Sequence, residues 1–291
     1  AVMGLGIAMM QPALPALLPR WLQPHHVAMG TAIYMNGMLV GEFVGAGVTL
    51  PLLVPLLNDS WRLTLLAWSL PAFLVAAALF LPKRDLARPT QRAAWLPDWS
   101  NPLTLKLGLL LGLSASMFFG LNAYMGNLLA QSGHFAKLSQ ALFCYNIAQV
   151  FASLVMLKTA RQWVGRRYMI TVTAVISVVG TTGAIALDGW WAIASATLMS
   201  FVAGILLILL VALPPLLARP GEAGRLSAGM FLVGYTLAFT IPMLGGLVSD
   251  LTGDARHSIL VMIVYSVLVL PLIRTLDLTP ARAAAPCPER G

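Results

Sequence analysis

The sequence predicts an all-α membrane protein, a bundle of apolar helices, on three observations. Of its 291 residues, 59% are hydrophobic and 10% charged, and its mean hydropathy is +0.84. A soluble domain carries about 25% charged residues, so this surface could not be kept wet and a soluble enzyme is excluded. Nine apolar runs each reach the ~20 residues that a helix needs to cross a ~30 Å hydrocarbon core. The connections between these runs alternate in charge, as loops on opposite sides of a membrane do. Period-two alternation with frequent turns is missing, which argues against a membrane β-barrel.

The runs are 1–18, 28–56, 62–81, 104–130, 138–157, 168–187, 190–213, 226–249 and 258–275. The second and eighth are rich in Gly and Pro, which membrane helices tolerate because neighbours re-satisfy the backbone. Fifteen Lys and Arg fall in the odd-numbered connections and the C-terminus, against Arg62, Lys137 and Arg256 on the other side. That bias predicts a cytoplasmic C-terminus and places Ala1 outside. The net charge of +8 is therefore a topology signal. The basic residues line no groove with interleaved aromatics, and no nucleic-acid partner is expected. Cys144 in an apolar run and Cys287 in the tail form no disulfide framework and no metal motif. No phosphate loop, HExxH or GxSxG is present, so neither ATP-driven transport, metal-dependent hydrolysis nor other enzyme chemistry is expected, and no cofactor.

An internal repeat organises the chain. Residues 13–18 read ALPALL and residues 212–217 read ALPPLL. Each is followed by a Gly-rich run carrying a Tyr (Tyr34, Tyr235) and a Pro (Pro51, Pro242). Runs 1–3 thus match runs 7–9, and runs 4–6 have no earlier counterpart. With parallel six-helix halves as the template, the expectation is a twelve-helix parent of which this chain holds the last nine. The expected organisation is then 1–81 as the second half of an N-terminal six-helix bundle and 82–102 as a cytoplasmic linker. A C-terminal six-helix bundle would occupy 103–276 and a disordered tail 277–291.

Several segments together resemble the major facilitator superfamily, and within it the cyanate and nitroimidazole transporter branch. GLGIAMMQPALPALLPRWLQ (Gly4–Gln23), GTAIYMNGMLVGEFVGA (Gly30–Ala46) and SWRLTLLAW (Ser60–Trp68) resemble its fourth to sixth helices. FFGLNAYMGNLLAQSG (Phe118–Gly133), FCYNIAQVFASL (Phe143–Leu154) and GYTLAFTIPMLGGLVSDLTG (Gly234–Gly253) resemble its seventh, eighth and eleventh. The family's cytoplasmic Asp-Arg…Gly-Arg-Arg loop is matched by Arg161, Gly165, Arg166 and Arg167, with Ala160 in place of the Asp. The resemblance implies a major-facilitator-type bundle working by alternating access in a bacterial inner membrane. It also implies a small polar or anionic solute, cyanate-like or nitroimidazole-like. Efflux of hydrophobic compounds, or a receptor or scaffold role without transport, remains an alternative. The expected state is a monomer in membrane lipid.

The residues themselves suggest where the chemistry lies. Glu42 is the acidic side chain set well inside an apolar run, where a carboxylate costs ~2.5–3.5 kcal/mol on the insertion scale. It is the expected proton-coupling residue, a structural carboxylate being the alternative. Gly37, Gly41 and Gly45 beside it suggest close helix packing. Ser139, Asn146, Gln149 and Ser153 share one helical face, with Tyr145 beside it. That face is expected either to line a solute pathway or to hydrogen-bond neighbouring helices. Asn122, Tyr124 and Asn127 form a second polar group, and Gln11, Tyr34 and Asn36 are further expected lining residues. No basic side chain lies deep in these runs to balance an anion. His25 and His26 are expected to be loop histidines pointing apart.

Overall fold

The computed structural model describes residues 2–78, 96–219 and 222–279. Each expected apolar run is helical there. α1 (Val2–Trp21) leads through a turn at Pro24–His26 into α2 (Val27–Val48). Pro51 has no N–H to offer the helical ladder, and the chain passes Thr49–Leu53 as a π turn before α3 (Val54–Leu56) and α4 (Trp61–Ala78). After residues 79–95 come α5 (Pro102–Gln131), α6 (Leu138–Trp163), α7 (Arg167–Ala186) and α8 (Gly189–Val211). The short α9 (Leu213–Leu217), then α10 (Ala223–Thr252) and α11 (Arg256–Val269), complete the described chain. Eight helical stretches among the described residues are long and apolar enough to cross a membrane by length and composition; α1 is the ninth expected run.

Local signals set the boundaries. Asn101 caps α5 by accepting from Leu103 N at 3.0 Å, and Pro102 occupies the first turn, where no N–H is needed. Gly253 ends α10 with φ 71°, a left-handed conformation that glycine adopts without strain. Hydroxyls buried along α7 turn back on their own helix: Thr173 donates to Met169 O (2.7 Å), Ser177 to Thr173 O (2.9 Å) and Thr181 to Ser177 O (2.8 Å). Apolar surroundings offer them no water, so this back-bonding supplies an acceptor.

The chain falls into two compact units, one of Ala1–Asn36 with Ala93–Gly291 and one of Gly37–Arg92. In the larger unit α5 and α10 share the most extensive contact. A Cβ on Gly229 would press on Thr104, one on Gly108 on Val233 and one on Gly112 on Leu237. The paired numbers rise together, so the two helices run parallel and in step. α8 packs against α7, α6 and α5, α11 closes on α10, α5 and α7, and α1 lies against α9 and α10. The last contact explains why the first 36 residues group with the C-terminal helices, whereas 1–81 is the grouping expected from the sequence. In the smaller unit, Trp68 Nε1 of α4 donates to Thr49 Oγ1 at 2.9 Å, pinning the π turn.

Two expectations are corrected. A Cβ on Gly37, Gly41 or Gly45 would meet nothing within 4 Å, so this glycine stripe is not a packing contact among the described residues. A Cβ would come within 3 Å of a neighbouring atom instead at Gly30 of α2 and at glycines of α5, α7, α8 and α10. His25 and His26 do not point apart: in their tight turn the rings are 3.9 Å from centroid to centroid. Asp277 and Thr279 are held in a hydrogen-bonded turn, with Thr279 N 3.0 Å and Thr279 Oγ1 2.7 Å from Asp277 Oδ1. Residues 280–291, and linker residues 82–95, lie outside the described residues.

Candidate functional site

The polar face of α6 is where the expected site residues converge. Asn146, Gln149 and Ser153 are spaced three and four apart, and each meets a different helix. Asn122 Nδ2 of α5 donates to Asn146 Oδ1 at 3.4 Å, while Asn146 Nδ2 donates to Leu142 O at 2.8 Å. Gln149 Nε2 donates to Ser200 O of α8 at 3.1 Å. Asn36 Nδ2 of α2 donates to Ser153 Oγ at 2.6 Å. The group brings α2, α5 and α8 around α6 with amides and hydroxyls and no charged side chain.

Two polar atoms of the expected site residues stay without a partner. Gln149 Oε1 and Tyr34 OH are buried without a hydrogen-bond partner among the described residues. Leaving such an atom unpaired in an apolar interior costs ~1–3 kcal/mol. Gly204 of α8 makes room for the Gln149 amide: a Cβ there would lie 2.9 Å from Oε1. Tyr34 lies near Tyr235 of α10, and Tyr235 stacks on Phe231 at 5.6 Å between centroids.

Other expected lining residues do different work. Tyr145 is fully buried, donates to Phe118 O at 2.9 Å and stacks on the Phe118 ring at 5.3 Å, so it fastens α6 to α5. Ser200 Oγ donates to Tyr145 O at 2.6 Å from the other side. Tyr124 donates to Pro242 O of α10 at 2.9 Å. Asn127 and Ser139 are exposed, and Gln11 is half-buried on α1. Glu42, in the smaller unit, is exposed and has no ion pair among the described residues. The sequence reading expected it to face a partner. No group of three or more His, Cys, Asp or Glu suited to a metal occurs among the described residues.

The basic loop between α6 and α7 turns at Gly165, whose φ of 80° calls for glycine. Arg161 and Arg166 are exposed. Arg167 reaches the carbonyl of Leu276 beyond α11, and Lys106 Nζ of α5 donates to Thr275 O at 3.1 Å. No sequence pattern signals this tether, because its acceptors are main-chain oxygens. Ser200 and Tyr265, which donates to Leu109 O at 2.8 Å, were likewise missed. The Tyr34–Tyr235 proximity did have a signal, since each Gly-rich run of the internal repeat carries one of these tyrosines.

The profile of the Major Facilitator Superfamily matches residues 1–228. The chain belongs to the Major Facilitator Superfamily. Among curated members, the cyanate transport protein CynX of Escherichia coli (strain K12) is 25% identical over 260 residues, which is 86% of this chain and 65% of that protein. The chain thus spans a little under two thirds of that relative. Solved structures of the superfamily share the fold. The human organic anion transporter MFSD10 superposes with a TM-score of 0.64 at 19% identity, covering 89% of this chain and 66% of that one. The transporter FucP in its outward conformation gives 0.63 at 12% identity, covering 92% and 72%. The expected fold class, an all-α major-facilitator-type bundle in a multi-pass membrane protein, is thereby established.

Proposed function

We propose that the chain is the greater part of a secondary active carrier that moves a small polar or anionic solute by alternating access. A cyanate-like or nitroimidazole-like solute suits it best. The reading is carried by the neutral polar group on α6, where Gln149 Oε1 stands unfilled beside Asn146, Ser153 and Asn36. Amides and hydroxyls at membrane depth fit a solute that is neutral or whose charge is delocalised. The likeness to a cyanate transport protein supports the same class.

In this reading the two halves divide at 82–102, the C-terminus is cytoplasmic in a bacterial inner membrane, and the carrier is a monomer. Glu42 couples transport to protons, since a carboxylate within an apolar run is the group whose protonation a gradient can drive. The test is uptake of radiolabelled cyanate into proteoliposomes holding the chain, with and without an inside-alkaline pH gradient. Gradient-stimulated uptake above protein-free vesicles is expected. Background uptake of both cyanate and a nitroimidazole would overturn the substrate class.

A further inference from the structure

A cleft of about 590 Å³ lies between α6 and α8. Cys144, Ile147 and Phe151 form one wall, Trp190, Ala194 and Phe201 the other, and no charged side chain lines it. Its volume falls within the ~300–1,000 Å³ of small-molecule clefts. The α8 wall runs from Trp190 to Phe201, eleven residues or ~16 Å of helix, close to half of a ~30 Å hydrocarbon core. The cleft is therefore as deep as one leaflet.

Its Trp190 end is not apolar. Lys137, at the start of α6, places Nζ 5.2 Å from the Trp190 ring centroid. Lys137 has no carboxylate partner among the described residues; neighbouring Asp188 instead pairs with Arg256 at 3.7 Å. A positive head over an indole at one end of a leaflet-deep apolar slot matches one ligand class by both charge and length.

We propose that this cleft is a phospholipid site, with an acyl chain between α6 and α8 and the headgroup phosphate on Lys137. By the charge count of the loops it lies in the outer leaflet. The site is independent of the transport reading.

Cys144 lines the cleft and reports on it. In the detergent-solubilised full chain carrying Cys287→Ser, its labelling by an apolar maleimide should slow as phosphatidylglycerol is added. In Lys137→Gln the same protection should need about fivefold more lipid. Thr197→Phe, which fills the cleft, should abolish lipid-dependent protection while the melting temperature is kept. If that variant does not fold, Leu198→Trp takes its place. Diacylglycerol, which lacks the phosphate, should protect the parent and Lys137→Gln equally. Equal protection of both by phosphatidylglycerol, or labelling that lipid does not slow, would overturn the proposal.

Discussion

Asn36 Nδ2 lies 2.6 Å from Ser153 Oγ, joining α2 to α6 across 117 residues of sequence. The hydroxyl is committed twice, accepting from Asn36 and donating to Val150 O at 2.7 Å. Removing it leaves the Asn36 amide without this acceptor. Ser153→Ala is expected to cost about 0.6 kcal/mol, the mean for interhelical hydrogen bonds in membranes. The check is a denaturant titration in mixed micelles, and an unchanged midpoint would mean that the bond contributes nothing.

Asn146 sits between Asn122 and its own helix backbone, so its carbonyl oxygen is the more available half of the amide. Under the carrier reading, Asn146→Ala should raise the apparent KM for cyanate about three- to tenfold, or ~0.6–1.4 kcal/mol. An unchanged KM with lower stability would assign the α6 face to helix packing.

Glu42→Gln keeps the shape of the side chain and removes its proton. Uptake driven by a pH gradient should fall to background in this variant, while exchange of labelled for unlabelled solute persists. Gradient-driven uptake at the parent rate would end the coupling role.

Glycines divide by what surrounds them. A Cβ on Gly245 would sit inside van der Waals contact of the Ser258 carbonyl, a main-chain atom that cannot swing away. Gly245→Ala should destabilise the α10–α11 contact by about 1–3 kcal/mol. Gly41→Ala, which meets nothing within 4 Å, should be neutral or slightly stabilising. Thermal melting of the two variants side by side is the measurement.

Asp277 carries a pH signature outside the membrane. Hydrogen bonds from the Thr279 side chain and N–H, with Arg167 adding attraction, hold its carboxyl below the ordinary aspartate value. A depressed value means the turn is supported above the unfolded pKa of about 3.9 and loses that support as pH falls through the folded one. Carboxylate chemical shifts should titrate below an ordinary aspartate in the parent and move up in Thr279→Ala.

The fold was legible because hydropathy and loop charge carry nearly all the information a membrane helix needs. The runs at 104–130 and 168–187 coincide with α5 and α7 within two residues. The site was legible as a face and not as a set of partners. Periodicity put Asn146, Gln149 and Ser153 together, but Tyr145 and Tyr124 became fasteners because their hydroxyls found main-chain carbonyls, which no side-chain pattern encodes.

The parallel pairing of α5 with α10 has an electrostatic consequence. Each helix gathers roughly +0.5 of an elementary charge at its first turn, and two neighbours running the same way add these fields at one end where antiparallel ones would cancel them. That shared end opens on a cavity of about 470 Å³ ringed by Asp98, Glu222 and Asp277, with Arg219 and Arg225. Of the three carboxylates there, Glu222 pairs with Arg225 at 3.9 Å, and all three carry the sign that the aligned peptide dipoles of the pair favour.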